Sequence, residues 1–293
     1  MHSRTITLTC CLAVFTILGI AMALAQPTLA PPAGPIEESA RFGTRIELNN
    51  DTAPSDGLYK HVIVQPGSYY LSGDIDASGF NGILIASSNV TLDLNGYAIV
   101  GDDTQLIGSG APTFDELTDE LTGVTVRNGS VRGFERGVRT SFQDFMSGVG
   151  IVRRGLAGVL VEELHVEAGT IGMDVAQARI VNCSILAPQT GIEAFASIIS
   201  GCHIRIEDAL NSGSAIGIFA EFCNVYACTV DLSETNAQTR NGYLGNDTLF
   251  TECAARTDDT GFFLGANCIA NGCLSTSALN FLDSSAQTNL SNF

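Results

Sequence analysis

One repeated pair of residues constrains this chain more than any other feature: a glycine followed eleven residues later by a cysteine. The pairs are Gly172/Cys183, Gly191/Cys202, Gly217/Cys228 and Gly242/Cys253, and Gly261/Cys273 adds one residue to the same spacing. Successive cysteines of this series are 19 to 26 residues apart. That period is too short for a globular domain and is typical of one coil of a stacked solenoid.

Aligning the coils on the cysteine position places aliphatic residues in two further columns. Three residues before the cysteine stand Val126, Val161, Ile180, Ile199, Val225 and Phe250. Two residues after it stand Val131, Val166, Ile185, Ile204 and Val230. Alternation with polar residues after the cysteine indicates strands with one buried side. In four coils the preceding residue tolerates left-handed backbone angles, which predicts a sharp bend there: Asn128, Asn182, Gly201 and Gly272. Stacked bends with inward aliphatic residues predict an all-β fold of parallel sheets wound into a helix.

The first 25 residues have the pattern of a secretory signal peptide. A short basic start leads into the apolar run from Leu8 to Leu24, and Ala23-Leu24-Ala25 is a cleavage motif before Gln26. The mature chain is expected to begin at Gln26 and to be secreted, in the extracellular space or the periplasm. No later stretch has membrane length, so no stable membrane insertion is expected.

The remaining chain divides into three predicted segments. Residues 26–57 form a Pro-rich linker and a short N-terminal cap, in which 36–42 has the pattern of a short amphipathic helix. Residues 58–283 form the β-helix, and 284–293 form a C-terminal tail. A solenoid needs its open end covered because an uncovered strand edge pairs with other chains.

The charge of the chain excludes two classes of partner. The formal net charge is −17 and Lys60 is the only lysine. Nucleic acids and anionic membrane surfaces both require clustered cations, so neither is an expected partner. A polyuronate would also be repelled unless divalent cations bridged it to the protein.

Three stretches of the sequence run from Gln65 to Ile75, from Gly82 to Ile99 and from Gly123 to Phe134. They resemble the opening coils of bacterial secreted right-handed parallel β-helix proteins, the pectate-lyase-like superfamily. The resemblance covers residues 59–283 and implies a right-handed parallel β-helix. The superfamily includes polysaccharide lyases, hydrolases, epimerases, phage tailspikes and surface proteins without known chemistry, so the fold does not select an activity.

Sequence motifs do not select an activity either. The chain lacks the full polygalacturonase pattern, the Asp-Pro-His-Asp of alginate epimerases, a serine-hydrolase elbow, a zinc helix and a phosphate-binding glycine loop. Two functions remain open. One is an enzyme that cleaves or epimerises an extracellular polysaccharide, and the other is a non-catalytic surface module that binds glycan or protein. The sequence indicates no oligomeric state.

Polar residues that follow the cysteine column are the candidate site. One residue after the column, pointing outward, come Ser130, His165, Ser184, His203 and Thr229; two residues further come Arg132, Glu167, Leu186, Arg205 and Asp231, followed by Glu207. In lyases and epimerases of the resembled superfamily, an outward sheet face holds the sugar chain, carboxylates hold calcium, and an Arg, Lys or His takes the proton next to the uronate carboxyl.

The resemblance therefore implies three sets of roles on this face. The catalytic candidates are Arg205, His203 and His165. The substrate-binding candidates are Ser184, Arg132 and Thr229. The calcium ligands are Glu167, Glu207 and Asp231, and calcium is the one cofactor implied. Arg256 is expected to lie away from this face. The competing interpretation is an ordinary solvated surface, because outward positions of any solenoid are polar.

Two further groups of residues have open interpretations. Arginines at 127, 132, 136, 139, 153 and 154 could meet a carboxylated sugar or pair with the acidic insert at 115–120. Seven cysteines follow the signal peptide, so at least one thiol is free. The column is either a stack of small buried residues or contains oxidised pairs such as Cys223/Cys228, whereas Cys223 and Cys268 are two coils apart and are not expected to pair.

Overall fold

A computed structural model describes residues 44–52, 59–102, 109–111, 121–140, 158–207, 213–233, 235–277, 279–283 and 289–291. Within these ranges all regular secondary structure is β-strand, and no described helix is long and apolar enough to cross a membrane. The predicted signal peptide, the helix at 36–42 and the acidic insert at 115–120 lie outside the described residues.

The described residues form 26 strands, most of them short. The first ten are β1 Ile46–Leu48, β2 Tyr59–Ile63, β3 Gly67–Leu71, β4 Ile75–Asp76, β5 Asn81–Ile85, β6 Val90–Asp93, β7 Ala98–Val100, β8 Ser109–Ala111, β9 Val124–Arg139 and β10 Val159–Ala176. The next eight are β11 Ala178–Val181, β12 Ser184–Ala187, β13 Thr190–Phe195, β14 Ile198–Ser200, β15 His203–Ile206, β16 Ser214–Glu221, β17 Asn224–Tyr226 and β18 Thr229–Asp231. The last eight are β19 Thr239–Asn246, β20 Leu249–Thr251, β21 Ala254–Arg256, β22 Thr260–Leu264, β23 Ile269–Asn271, β24 Leu274–Ser275, β25 Leu279–Asp283 and β26 Asn289–Ser291.

These strands stack in parallel to form three faces around one axis. The first face contains β1, β3, β6, the start of β9 and β10, then β11, β14, β17, β20, β23 and β26. The second contains β4, β7, the middle of β9 and β10, then β12, β15, β18, β21 and β24. The third contains β8, the end of β9 and β10, then β13, β16, β19, β22 and β25. The predicted fold class, an all-β parallel β-helix, is confirmed.

The strand register agrees with the alignment on the cysteine column. Val126, Val161, Ile180, Ile199, Val225 and Phe250 pair in series on the first face. Val131, Val166, Ile185, Ile204 and Val230 pair in series on the second. All of these side chains are at most 2% exposed, so the two columns form much of the core.

The pairing extends past both limits predicted for the β-helix. Strand β1, within the segment predicted as linker and cap, pairs with β3, and β26, within the predicted tail, pairs with β23. Both belong to the first face. Strands β2 and β5 pair with each other in a separate two-stranded sheet near the N-terminal end.

The bend between the first and second faces has a left-handed residue in each coil of the cysteine series. The φ angles are 53° at Asn182, 65° at Gly201, 50° at Ala227, 53° at Glu252 and 62° at Gly272. The bend predicted from Asn and Gly is confirmed. Ala227 and Glu252 adopt the same angle without the residue type that favours it, because the coils above and below impose the common path.

Four glycines of the repeat lie in third-face strands at positions where no side chain fits: Gly172, Gly191, Gly217 and Gly242. A Cβ on Gly191 would overlap Ile204 Cγ2 and would lie 2.6 Å from the carbonyl oxygen of Gly217. Gly172 and Gly217 have the same surroundings, formed by Ile185 and Val230. The glycine column therefore exists because the aliphatic column of the second face fills the space beside it.

Buried His61 makes the stability of the fold depend on pH. It lies on the inward side of β2 and is 1% exposed. Burial, together with the Lys60 charge, lowers the pKa of His61 below its ordinary value, and the backbone of Asn49 offsets this only in part. The unfolded chain therefore binds a proton at a pH where the folded chain does not.

We expect the free energy of unfolding to fall as pH decreases below about 6.5, by at most about 1.4 kcal/mol per pH unit from this group. Urea unfolding at pH 7.5, 6.5 and 5.5 measures the change, and a His61→Leu variant is the reference because carboxylates titrate in both proteins. The wild type should lose more stability than the variant over this range. If the free energy of unfolding changed with pH equally in both proteins, the lowered pKa of His61 would be contradicted.

Candidate functional site

The second face carries a continuous outward column of hydrogen-bonding side chains. His165, Ser184, His203 and Thr229 pair in series on β10, β12, β15 and β18. Three of them are exposed and Ser184 is half-buried. Neighbouring strands are about 4.8 Å apart, so the column spans about 14 Å. The structure thus brings these four predicted site residues together in one straight row.

A second, charged column lies two residues further along the same strands. Its members in order are Arg132, Glu167, Leu186, Arg205, Asp231 and Arg256. The expectation that Arg256 lies away from this face is wrong, because β21 continues the stack and places Arg256 beside Asp231. Arg256 Nη1 lies 3.8 Å from Asp231 Oδ2.

Contacts within the face orient several of the candidate residues. His203 Nδ1 lies 2.7 Å from Thr229 Oγ1, in a hydrogen bond across adjacent rungs. Arg205 forms an ion pair with Glu207. The guanidinium of Arg205 keeps its proton and its charge at any pH that proteins tolerate. The surroundings of Arg205 therefore suit binding of an anion or hydroxyl rather than acceptance of a proton.

Asp231 is held in its ionised form. Its Oδ1 accepts hydrogen bonds from the Ser233 backbone nitrogen at 3.0 Å and from Ser233 Oγ at 2.6 Å. Burial by itself raises the pKa of Asp231, but the Ser233 hydrogen bonds and the charges of Arg256 and Arg205 outweigh it, so the pKa is lowered. At neutral pH this carboxylate carries a full negative charge between two arginines.

The structure does not bring the three predicted calcium ligands to one point. Glu167 and Asp231 are separated by three rungs, about 14 Å, with Leu186 and Arg205 between them. Calcium ligands lie at about 2.3–2.6 Å from the ion. Glu207 is paired with Arg205. In the described part of the chain, no group of three or more His, Cys, Asp or Glu side chains is placed to hold a metal, so one calcium shared by these carboxylates does not fit.

Sequence reasoning missed a polar cluster on the outer side of the third face. Asp174, 6% exposed, accepts a hydrogen bond from Arg136 Nη1 at 2.5 Å and lies 3.5 Å from Arg139 Nε. Arg136 and Arg139 were among the arginines expected to meet a sugar or the acidic insert. The sequence did contain a signal for this cluster: Asp174 stands inside the apolar run from Ile171 to Ala176. A buried carboxylate needs a cation or hydrogen-bond donors as partners. The cluster ties β9 to β10.

Comparison with known proteins gives a similarity in architecture. No family model matches the chain, and the search of curated proteins found no relative. Among solved structures, the enzymatically active domain of tailspike protein 2 from bacteriophage CBA120 is 13% identical, with a TM-score of 0.50, over 84% of this chain and 42% of that one. What this similarity shows is the fold. The chain spans less than half the length of that tailspike domain.

An alginate lyase from Paenibacillus sp. str. FPU-7 is also 13% identical, over 84% of this chain and 99% of that one. Its TM-score is 0.27, which is too low to support an inference about the fold or the site. The site must therefore be judged from its own residues.

Proposed function

We propose that this chain is a secreted protein that binds an extracellular polysaccharide along the outer side of the second face. The observation that carries the proposal is the row of His165, Ser184, His203 and Thr229 on four consecutive rungs. A polysaccharide is an extended chain of hydroxyl groups, and a straight row of donors and acceptors at a fixed spacing can bind it at several sugars. The predicted signal peptide and the resemblance to the pectate-lyase-like superfamily support this proposal.

The charged column favours a uronate-containing polymer. Although the chain has a net charge of −17, this column together with Glu207 contains three arginines and three carboxylates. The general repulsion of an acidic ligand is therefore reduced at this face. Arg132 and Arg205 are three rungs apart, about 14 Å, and can each meet a different uronate along one chain.

Catalysis by a lyase or epimerase reaction is a second candidate, and His203 is the residue that favours it. The Thr229 hydroxyl fixes the orientation of its ring, as a positioned general base requires. Arg205 would bind the uronate carboxylate beside it. The proposal assigns no step to calcium, because the predicted ligands do not converge.

We expect Arg205→Ala to weaken binding of alginate or polygalacturonate by about tenfold or more, since a hydrogen bond to a charged group contributes about 1.5–3 kcal/mol. His203→Ala should weaken it less. Calorimetry with and without EDTA measures both effects, and release of an ultraviolet-absorbing unsaturated uronate reports lyase activity.

Arg179→Ala is the matched control, because Arg179 is an exposed arginine on the outer side of the first face. It should leave affinity unchanged. Equal losses in the Arg179 and Arg205 variants would show that binding depends on net charge alone. Failure of the wild type to bind any member of a panel of neutral and acidic polysaccharides would overturn the proposal.

A further inference from the structure

The five repeat cysteines occupy the same backbone position in successive coils. Each follows one of the left-handed bend residues. The carbonyls of the first four cysteines each accept a hydrogen bond from the next coil at 2.9 Å: His203 N to Cys183 O, Thr229 N to Cys202 O, Ala254 N to Cys228 O and Leu274 N to Cys253 O. The stack is therefore in register from Cys183 to Cys273.

The five thiols also point the same way. Each Sγ lies near the carbonyl oxygen two residues earlier: Cys183 to Val181 at 3.4 Å, Cys202 to Ser200 at 3.4 Å, Cys228 to Tyr226 at 3.3 Å, Cys253 to Thr251 at 3.3 Å and Cys273 to Asn271 at 3.6 Å. All five are buried and none forms a disulfide. Since their orientation is common, neighbouring sulfur atoms repeat at the rung spacing of about 4.8 Å.

This spacing suits an ion that takes two sulfur ligands on opposite sides. The midpoint between adjacent sulfurs lies about 2.4 Å from each, close to the metal–thiolate distance of about 2.3 Å known for zinc. Parallel side chains make the metal–sulfur–carbon angle roughly a right angle, which thiolates accept. We propose that the cysteine column binds soft monovalent cations of the Cu(I) and Ag(I) type, each held between two adjacent sulfurs. No sulfur is shared between two ions, because a sulfur bonded to carbon does not hold two metals in a straight line.

The same geometry discriminates against other metals. Zinc requires four ligands arranged as a tetrahedron, and a straight column offers two sulfurs to any point between rungs. Calcium and magnesium require oxygen ligands. Soft thiolates select Cu(I) among the common biological metals.

Binding in this column need not bury a net charge. Each cation replaces one thiol proton, which leaves to solvent, and the oxidation state of the ion is unchanged. Two cations and two released protons leave the core as neutral as before, with three of the five thiols still protonated. Because each ion displaces a thiol proton, binding should weaken as pH falls.

A second inward column provides a control within the molecule. At the corner between the third and first faces, Ser197, Cys223, Thr248 and Cys268 occupy equivalent positions: Ser197 N lies 3.4 Å from Cys223 Sγ, and Cys223 N lies 3.3 Å from Thr248 Oγ1. Cys223 and Cys268 are 2% and 0% exposed, as buried as the five column cysteines. Thr248 separates their sulfurs by two rungs, so no cation can join them.

The test counts bound Ag(I) by native mass spectrometry, using the chain with Cys10 and Cys11 changed to serine. Because the thiols are buried, Ag(I) is added by two routes: to the folded protein over many hours, and during refolding from urea. Excess glutathione is then added to remove ions held at the surface. A run of two or three adjacent thiols should retain one ion, and a run of four or five should retain two. We expect two ions in the parent protein, two in Cys228→Ala, one in Cys202→Ala and two in Cys223→Ala.

Retention should also release about one proton per ion and raise the thermal midpoint. If Cys202→Ala fails to fold, Cys253→Ala makes the same prediction of one ion, because it leaves a run of three and one isolated thiol. Equal losses of ions in Cys202→Ala and Cys228→Ala would show independent thiols and overturn the proposal. Loss of an ion in Cys223→Ala, or no retained Ag(I) by either route, would overturn it as well.

Discussion

Replacing Ile204 with aspartate is expected to abolish cooperative folding at room temperature. Ile204 lies at 0% exposure in β15, with Ile185 on one side of it and Val230 on the other. A lone carboxylate there has neither water nor a cation as partner, and its burial costs several kcal/mol. That cost is comparable to the whole stability of a domain, about 5–15 kcal/mol. Circular dichroism and urea unfolding of Ile204→Asp measure the effect.

His203→Asp is the control, since it introduces the same group one residue earlier on the same strand, on the exposed side. Its free energy of unfolding should change by less than about 1 kcal/mol. The difference in stability between the two variants arises because successive side chains along a strand point to opposite sides. A shift of the register by one residue would therefore exchange the buried and the exposed position. Similar unfolding curves for the two variants would show that the inward register is wrong.

The register of the core could be predicted from sequence because two signals coincide in every coil. The cysteine position gave a fixed origin, and aliphatic residues recur at the same offsets from it. Loops between the second and third faces vary in length, which obscures any repeat counted along the whole chain. Counting from the bend avoids that problem, since the bend between the first two faces has the same length throughout the cysteine series.

The bends themselves were predicted only where residue type revealed them. Asn182 and Gly201 favour the left-handed region, whereas Ala227 and Glu252 do not, yet all four have φ between 50° and 65°. The backbone hydrogen bonds to neighbouring coils fix the path, so tertiary structure overrides local preference at these two residues. No inspection of Ala227 in isolation would have found its conformation.

The candidate site was predicted as two columns, and the structure contains both columns. The predicted roles depend on distances that residue type alone does not supply. Glu167, Glu207 and Asp231 have suitable chemistry for calcium, but rung spacing separates the first from the last. Asp174 was missed because it lies within an apolar run, where its burial is explained only by the arginines of the preceding coil.

Gly191→Ala is expected to destabilise the protein by about 1–3 kcal/mol or more, although it adds one methyl group. The new Cβ would overlap Ile204 Cγ2 and approach the carbonyl oxygen of Gly217 to 2.6 Å. That carbonyl belongs to the neighbouring strand of the third face, so the backbone cannot move away without disturbing the parallel pairing. Thermal and urea unfolding against the wild type measure the loss.

Gly73→Ala should raise the free energy of unfolding or leave it unchanged. A Cβ on Gly73 meets no atom within 4 Å, and its φ lies outside the left-handed region. Restricting the unfolded chain there stabilises the fold by about 0.4–1 kcal/mol when the native angles suit alanine. The same chemical change therefore distinguishes a glycine required by packing, Gly191, from one in open space, Gly73. A Gly191→Ala protein as stable as Gly73→Ala would mean that the glycine column is not packed against the aliphatic column of the second face.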